Sequence, residues 1–198
     1  MKKITHAKIA VHQTFAILIV LVAIISCDNH GKMEDTKKIA EEHNDFKFDN
    51  TNREKDAQFF VNAAEINLEE IQLGQLAQQR SKMDDVKQLG KMMEDAHLKS
   101  LNELIVLSNR KSITIPTSLT DNAKEAYNKL TNTLDVDFDK EYCNMMVTGH
   151  RKAIEIFDKA STESTDTDIK AWATSMLVNL HSHLDYAISC QIKYDKIK

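Results

Sequence analysis

Glycine and proline are scarce in this chain, with four glycines and one proline in 198 residues. A β-sandwich or barrel needs a turn about every 8–12 residues, usually built with Gly, Asn or Pro. All-β folds are therefore excluded, and doubly wound and collagen-like folds are disfavoured on the same ground. Aromatic residues make up only 6%. There is no basic excess, since 26 Lys and Arg face 30 Asp and Glu for a net charge of −4. No Ser/His/Asp, Cys/His or phosphate-loop signature is present. What is there is ordinary globular material, 42% hydrophobic and 28% charged, with apolar content for one core. The expectation is an all-α protein.

The charge is unevenly placed. The first 26 residues hold Lys2, Lys3 and Lys8 and no acid, so the remainder stands at −7, with 23 basic and 30 acidic residues. An acidic domain is a poor match for nucleic acid or an anionic membrane surface, and no nucleic-acid partner is expected.

The basic stretch Met1–Lys8 leads into Ile9–Ile25, which is apolar apart from His12, Gln13 and Thr14. This is the layout of a secretory signal. The ending Ile24-Ile25-Ser26-Cys27 resembles the lipobox of bacterial lipoproteins, which implies cleavage before Cys27 and lipidation of its thiol. The alternative is a transmembrane anchor, for which the run is short. Acyl chains contributing about 0.8 kcal/mol per buried methylene would hold the protein on a membrane. The expected location is the bacterial cell envelope, with the domain outside the cytoplasm, as in the periplasm. Residues 27–56 read as a flexible tether, with His30 and His43 given no role, and residues 57–198 as the folded domain.

From Asp56 onward four stretches show the alternating three–four spacing of a bundle seam. They are Phe59, Ala63, Ile66, Glu70, Leu73 and Ala77; Met83, Val86, Gly90, Met93, His97, Ser100, Leu104 and Leu107; Cys143, Met146, His150, Ala153, Phe157 and Ala160; and Ile169, Ala173, Met176, Leu180, His183, Ala187, Cys190 and Tyr194. Loops are expected near Arg80–Asp85 and Ser161–Asp168. Between the second and third seams, Asn109–Asp137 holds the single proline, Pro116, and a short extra helix over Asp121–Leu134 with Thr120 or Asp121 as its N-cap. Two hairpins joined by such a crossover is the ferritin-like four-helix arrangement.

Each seam carries one ionisable residue near its middle: Glu70, His97, His150 and His183. A seam position is normally apolar, because burying an unpaired polar group costs about 1–3 kcal/mol. Counted from the turns near residues 83 and 166, all four lie about 20–25 Å along their helices, hence near mid-height. A carboxylate and three imidazoles converging in a core is the composition of a site for iron, copper or zinc. A buried hydrogen-bond network is the alternative. Met92-Met93 before His97 and Met145-Met146 before His150 repeat the pattern M-M-x-x-x-H, and Met93 and Met146 are additional candidate donors for a soft ion such as Cu(I), or core filling. Glu94-x-x-His97 matches half of a di-iron motif. Val147 and Leu180 stand where the other two histidines would need a glutamate, so a complete dinuclear oxidase centre is not expected. His181 lies off the seam and is expected at the surface, with a second-donor role beside His183 as the alternative.

Two cysteines remain besides Cys27. Cys143 precedes His150 by seven residues and Cys190 follows His183 by seven. If the histidines face each other on antiparallel helices, so do the cysteines, which predicts a disulfide in an oxidising compartment. Two buried free thiols are the alternative.

The stretch Phe60–Ala187 resembles a widespread bacterial family of envelope proteins, known as a ferritin-like domain of unknown function and often labelled outer-membrane proteins. The matching phrases are Ala63-Ala64 through Glu70-Ile71-Gln72-Leu73-Gly74-Gln75-Leu76-Ala77; Gly90-Lys91-Met92-Met93 leading to His97; Phe138-Asp139 with Tyr142 leading to His150; and Leu180 with His183-Leu184. Pro116 falls where the family places proline after its second helix. The family often has Asp before its first histidine, where this chain has Ala96, so Asp95 or Glu94 would have to substitute. The resemblance implies the fold and the envelope location and supplies no reaction. Three functional classes follow: a lipid-anchored, non-catalytic metal-binding or stress-related protein; a metal-dependent oxidase or peroxide-consuming enzyme; and a structural or interaction module whose core polar groups fix helix register.

Overall fold

The computed structural model describes residues 34–49 and 51–196. The signal segment and Cys27 lie outside the described residues. Six helices are present among them: α1 (Thr36–Lys47), α2 (Thr51–Arg80), α3 (Asp84–Lys111), α4 (Asp121–Asn132), α5 (Asp135–Glu163) and α6 (Thr167–Asp195). There is no strand among the described residues, and no described helix is long and apolar enough to cross a membrane.

The four long helices are the four seams. Three residues, 81–83, join α2 to α3, and three, 164–166, join α5 to α6. Connections this short force antiparallel hairpins. Asp166 caps α6, its carboxylate accepting from the backbone N–H of Asp168 at 3.0 Å and of Ile169 at 3.3 Å. Across the hairpins α2 packs on α5 and α3 on α6, which closes a ring of four helices.

The crossover runs the length of this ring. It leaves α3 beside Leu104 and Leu107, in one half of the core, and enters α5 before Phe138, in the other. Thr120 caps α4, accepting from the N–H of Ala123 at 3.2 Å, and α4 lies along α2. Arg80, at the end of α2, donates to the carbonyls of Leu130, Thr131 and Thr133 and to Asp135 at 2.6 Å. It thereby adds a donor to carbonyls at the end of α4, where helical partners run out.

The expected tether needs correction over residues 36–47 and 51–56, which form α1 and the first turns of α2, so that the first long helix begins at Thr51 rather than at residue 57. α1 docks mainly through polar contacts. The Asn44 side chain donates to the Thr114 carbonyl and accepts from the Thr114 N–H, both at 2.8 Å. Lys37 pairs with Glu65 at 2.6 Å. Ala40 and Phe48 add the only buried apolar side chains of this described stretch before α2.

Candidate metal centre

The core is divided by a polar layer. On one side Phe59, Phe60, Leu104, Phe157 and Ile169 pack together, and on the other Leu73, Leu89, Met93, Tyr142 and Met146. Between them lie Asn67 and Glu70 from α2, His97 from α3, His150 from α5 and His183 from α6, all buried.

The three imidazoles form a near-equilateral triangle with ring centroids 5.7, 5.6 and 5.3 Å apart. One nitrogen from each can be chosen so that all three lie within 4.8 Å of one another. The backbone and Asn67 select which nitrogens these are. The Nδ1–H of His150 donates to the carbonyl of Met146, and that of His97 to Asn67 Oδ1, each at 2.9 Å. Both rings then present an Nε2 lone pair, and His97 Nε2 is buried without a partner. Outer carbonyl groups that fix a tautomer in this way are the usual support of metal-ligating histidines. His150 Nε2 and His183 Nδ1 are 3.4 Å apart. Bonds of about 2.0–2.1 Å to a tetrahedral ion set two nitrogens about 3.3 Å apart, so this spacing fits a shared transition metal.

Burial keeps the imidazoles neutral, which is the form that ligates. His97 is held well below its ordinary value by burial, then by His150 and His183; His150 is lowered to about 4 by burial and His183; His183 is lowered by burial. The same burial, reinforced by Glu69, pushes the Glu70 carboxyl well above its ordinary value. The Glu70–His150 contact, 3.7 Å from Oε1 to Nδ1, has the distance of an ion pair. Both shifts favour the uncharged forms of the two partners.

The structure brings three of the four expected donors together. Glu70 stands behind His150, on the Nδ1 side, and no carboxylate oxygen joins the triangle among the described residues. Gly149 makes room for it, since a Cβ there would lie 3.0 Å from Glu70 Oε1. Glu94 is turned to α2, accepting from Gln75 at 2.7 Å and Gln78 at 2.8 Å, and exposed Asp95 pairs with Lys91. Neither takes the place of the acid that Ala96 lacks. Met93 and Met146 are fully buried in the apolar half beside Leu89, where they fill the core. His181 is exposed. Cys143 and Cys190 form the expected disulfide, with Cα atoms 5.8 Å apart. Asn67 escaped sequence reading because it is one residue off the α2 seam. Its spacing of four from Ala63 and three from Glu70 was the available signal. Tyr142 also belongs to the layer's edge, its hydroxyl buried without a partner and pushed well above its ordinary value by burial and then by Glu70.

A profile described as a domain of unknown function (DUF4142) matches residues 42–189. No curated protein and no solved structure matches the chain.

Proposed function

The chain belongs to the DUF4142 family, and from that premise we propose that it is a lipid-anchored protein of the bacterial cell envelope whose ferritin-like bundle binds one transition-metal ion non-catalytically. The observation that carries the metal reading is the triangle of His97, His150 and His183, with Nε2 of His97 and His150 freed by Asn67 and the Met146 carbonyl. Iron, copper or zinc in a divalent state suits three imidazoles, and zinc suits them with a fourth ligand that is not a protein side chain. The ring of two hairpins with a lengthwise crossover supports the ferritin-like assignment. The Cys143–Cys190 disulfide supports an oxidising compartment, as does the lipobox-like Ile24–Cys27.

Untagged protein incubated with zinc and desalted is expected to retain about one equivalent by elemental analysis. His97→Ala and His150→Ala should each drop it to well below half an equivalent, with helical content kept. Metal content that ignores both substitutions would sink the reading and leave the polar layer as a device for helix register.

A further inference from the structure

Of the four helices around the polar layer, α2 contributes no donor to the triangle. Its Asn67 Oδ1 is taken up by His97, and its Glu70 lies behind His150. A small cavity, walled in part by α2 residues, adjoins two of the triangle's three imidazoles, His97 and His183. Its volume is about 20 Å³, and its wall includes Asn67, Ala96, His97, Ser100, Asn179 and His183. A cavity needs about 10–15 Å³ to admit one water, so this one takes a water-sized group, or one end of a slim linear anion whose other end lies in the mouth, and no organic substrate. Two buried polar atoms of residues in its wall lack partners, Asn67 Nδ2 and His97 Nε2. At the other end the wall reaches exposed Asn179 and half-buried Ala96, which opens it toward the surface between α3 and α6.

We propose that this cavity is the binding site for one exogenous ligand, a water, hydroxide or small anion, docked beside His97 and His183 and held by the Asn67 amide. The inference rests on the metal reading above. Three protein donors and one open position is the arrangement of exchangeable metal sites, whereas closed structural sites use four. Asn67 has two tasks in it. Its Oδ1 fixes the His97 tautomer, and its Nδ2–H is the hydrogen-bond donor offered to the ligand. Ala96 and Asn179 frame the entrance, and the small side chain of Ala96 keeps it passable.

The test uses the disulfide-bonded protein loaded with cobalt(II), whose visible bands report ligand exchange, and azide as the probe. Cobalt content is measured first. With one cobalt bound, azide should shift the visible bands saturably at one per protein, and imidazole, too large for the cavity, should leave them unchanged. Ala96→Leu should weaken azide at least tenfold while cobalt content stays at one. One bound cobalt with no azide response overturns the inference and leaves the metal reading standing. A response to imidazole, or azide affinity indifferent to Ala96→Leu, overturns the placement in this cavity. Failure to bind cobalt overturns the metal reading, and the inference with it.

Discussion

Glu70 and the three histidines share one buried layer but respond to pH in opposite senses. His150 is depressed from 6.5 to about 4. Between those values the unfolded chain binds a proton that the folded chain refuses, so stability rises with pH across the window. Acidification through it costs about 3 kcal/mol from this residue alone. His97 and His183 are shifted in the same direction by burial and add to the loss. Glu70 is raised well above 4.5, and Glu69 beside it, pushed up by burial and then by Glu65, reaches about 7. These groups keep protons that the unfolded chain releases, so their contribution falls as pH rises. The imidazole slope ends near pH 6.5, where unfolded histidines lose their protons, and above it the carboxyl slope acts alone. In chelator, urea midpoints should therefore fall as the pH rises beyond 6.5. Glu70→Gln, which keeps the shape and cannot ionise, should flatten the alkaline limb and gain on the wild type from pH 6 to pH 8. An alkaline limb that the substitution leaves unchanged would mean that folded Glu70 is already ionised.

Among the elements, the closest approach is between α2 and α3, at Gly74 and Gly90. A Cβ on Gly74 would stand 2.5 Å from the Gly90 carbonyl oxygen, and one on Gly90 2.7 Å from that of Gly74. Alanine in a free helix would gain about 1 kcal/mol over glycine. Here it must push two backbones apart, and overpacking of that kind costs about 1–3 kcal/mol. Gly74→Ala and Gly90→Ala are each expected to lower the urea midpoint, and a rise in either would show that the crossing has slack. The disulfide acts between α5 and α6. With its cysteines 47 positions apart, it constrains the unfolded chain by about 4 kcal/mol, so Cys143→Ala with Cys190→Ala should lose that amount in equilibrium denaturation.

These elements also show what the sequence made legible. Long helices with heptad-like seams advertise themselves, and so do the seam histidines and the paired cysteines, because periodicity reports which side chains face inward. α1 was hidden because its apolar stripe is thin and its docking is polar, through Asn44 and Lys37. Asn67 was hidden because a position one residue off the seam still faces inward on a wide stripe. Glu70 was correctly read as buried, but spacing alone could not say which side of His150 it would occupy.

At the scale of the whole molecule, the disulfide and the histidine triangle differ in what they join. The disulfide closes the α5–α6 hairpin on itself, whereas the histidine triangle takes His97 from the first hairpin and His150 and His183 from the second. On the proposed metal reading, a bound ion would be a staple between hairpins, and its stabilisation would follow mass action, about 2.7 kcal/mol at a free concentration of 100 Kd. Two consequences separate it from the disulfide. Zinc should raise the thermal midpoint in both the disulfide-bonded protein and the Cys143→Ala, Cys190→Ala variant, because the staple does not use the cysteines. His97→Ala should abolish most of the zinc increment although two imidazoles remain, because both now lie on one hairpin and hold nothing across. Circular dichroism melts with zinc and with chelator measure this directly. A zinc increment that survives His97→Ala but disappears with the disulfide would place the ion within the α5–α6 hairpin, and the bridge between the two halves of the fold would then be packing alone.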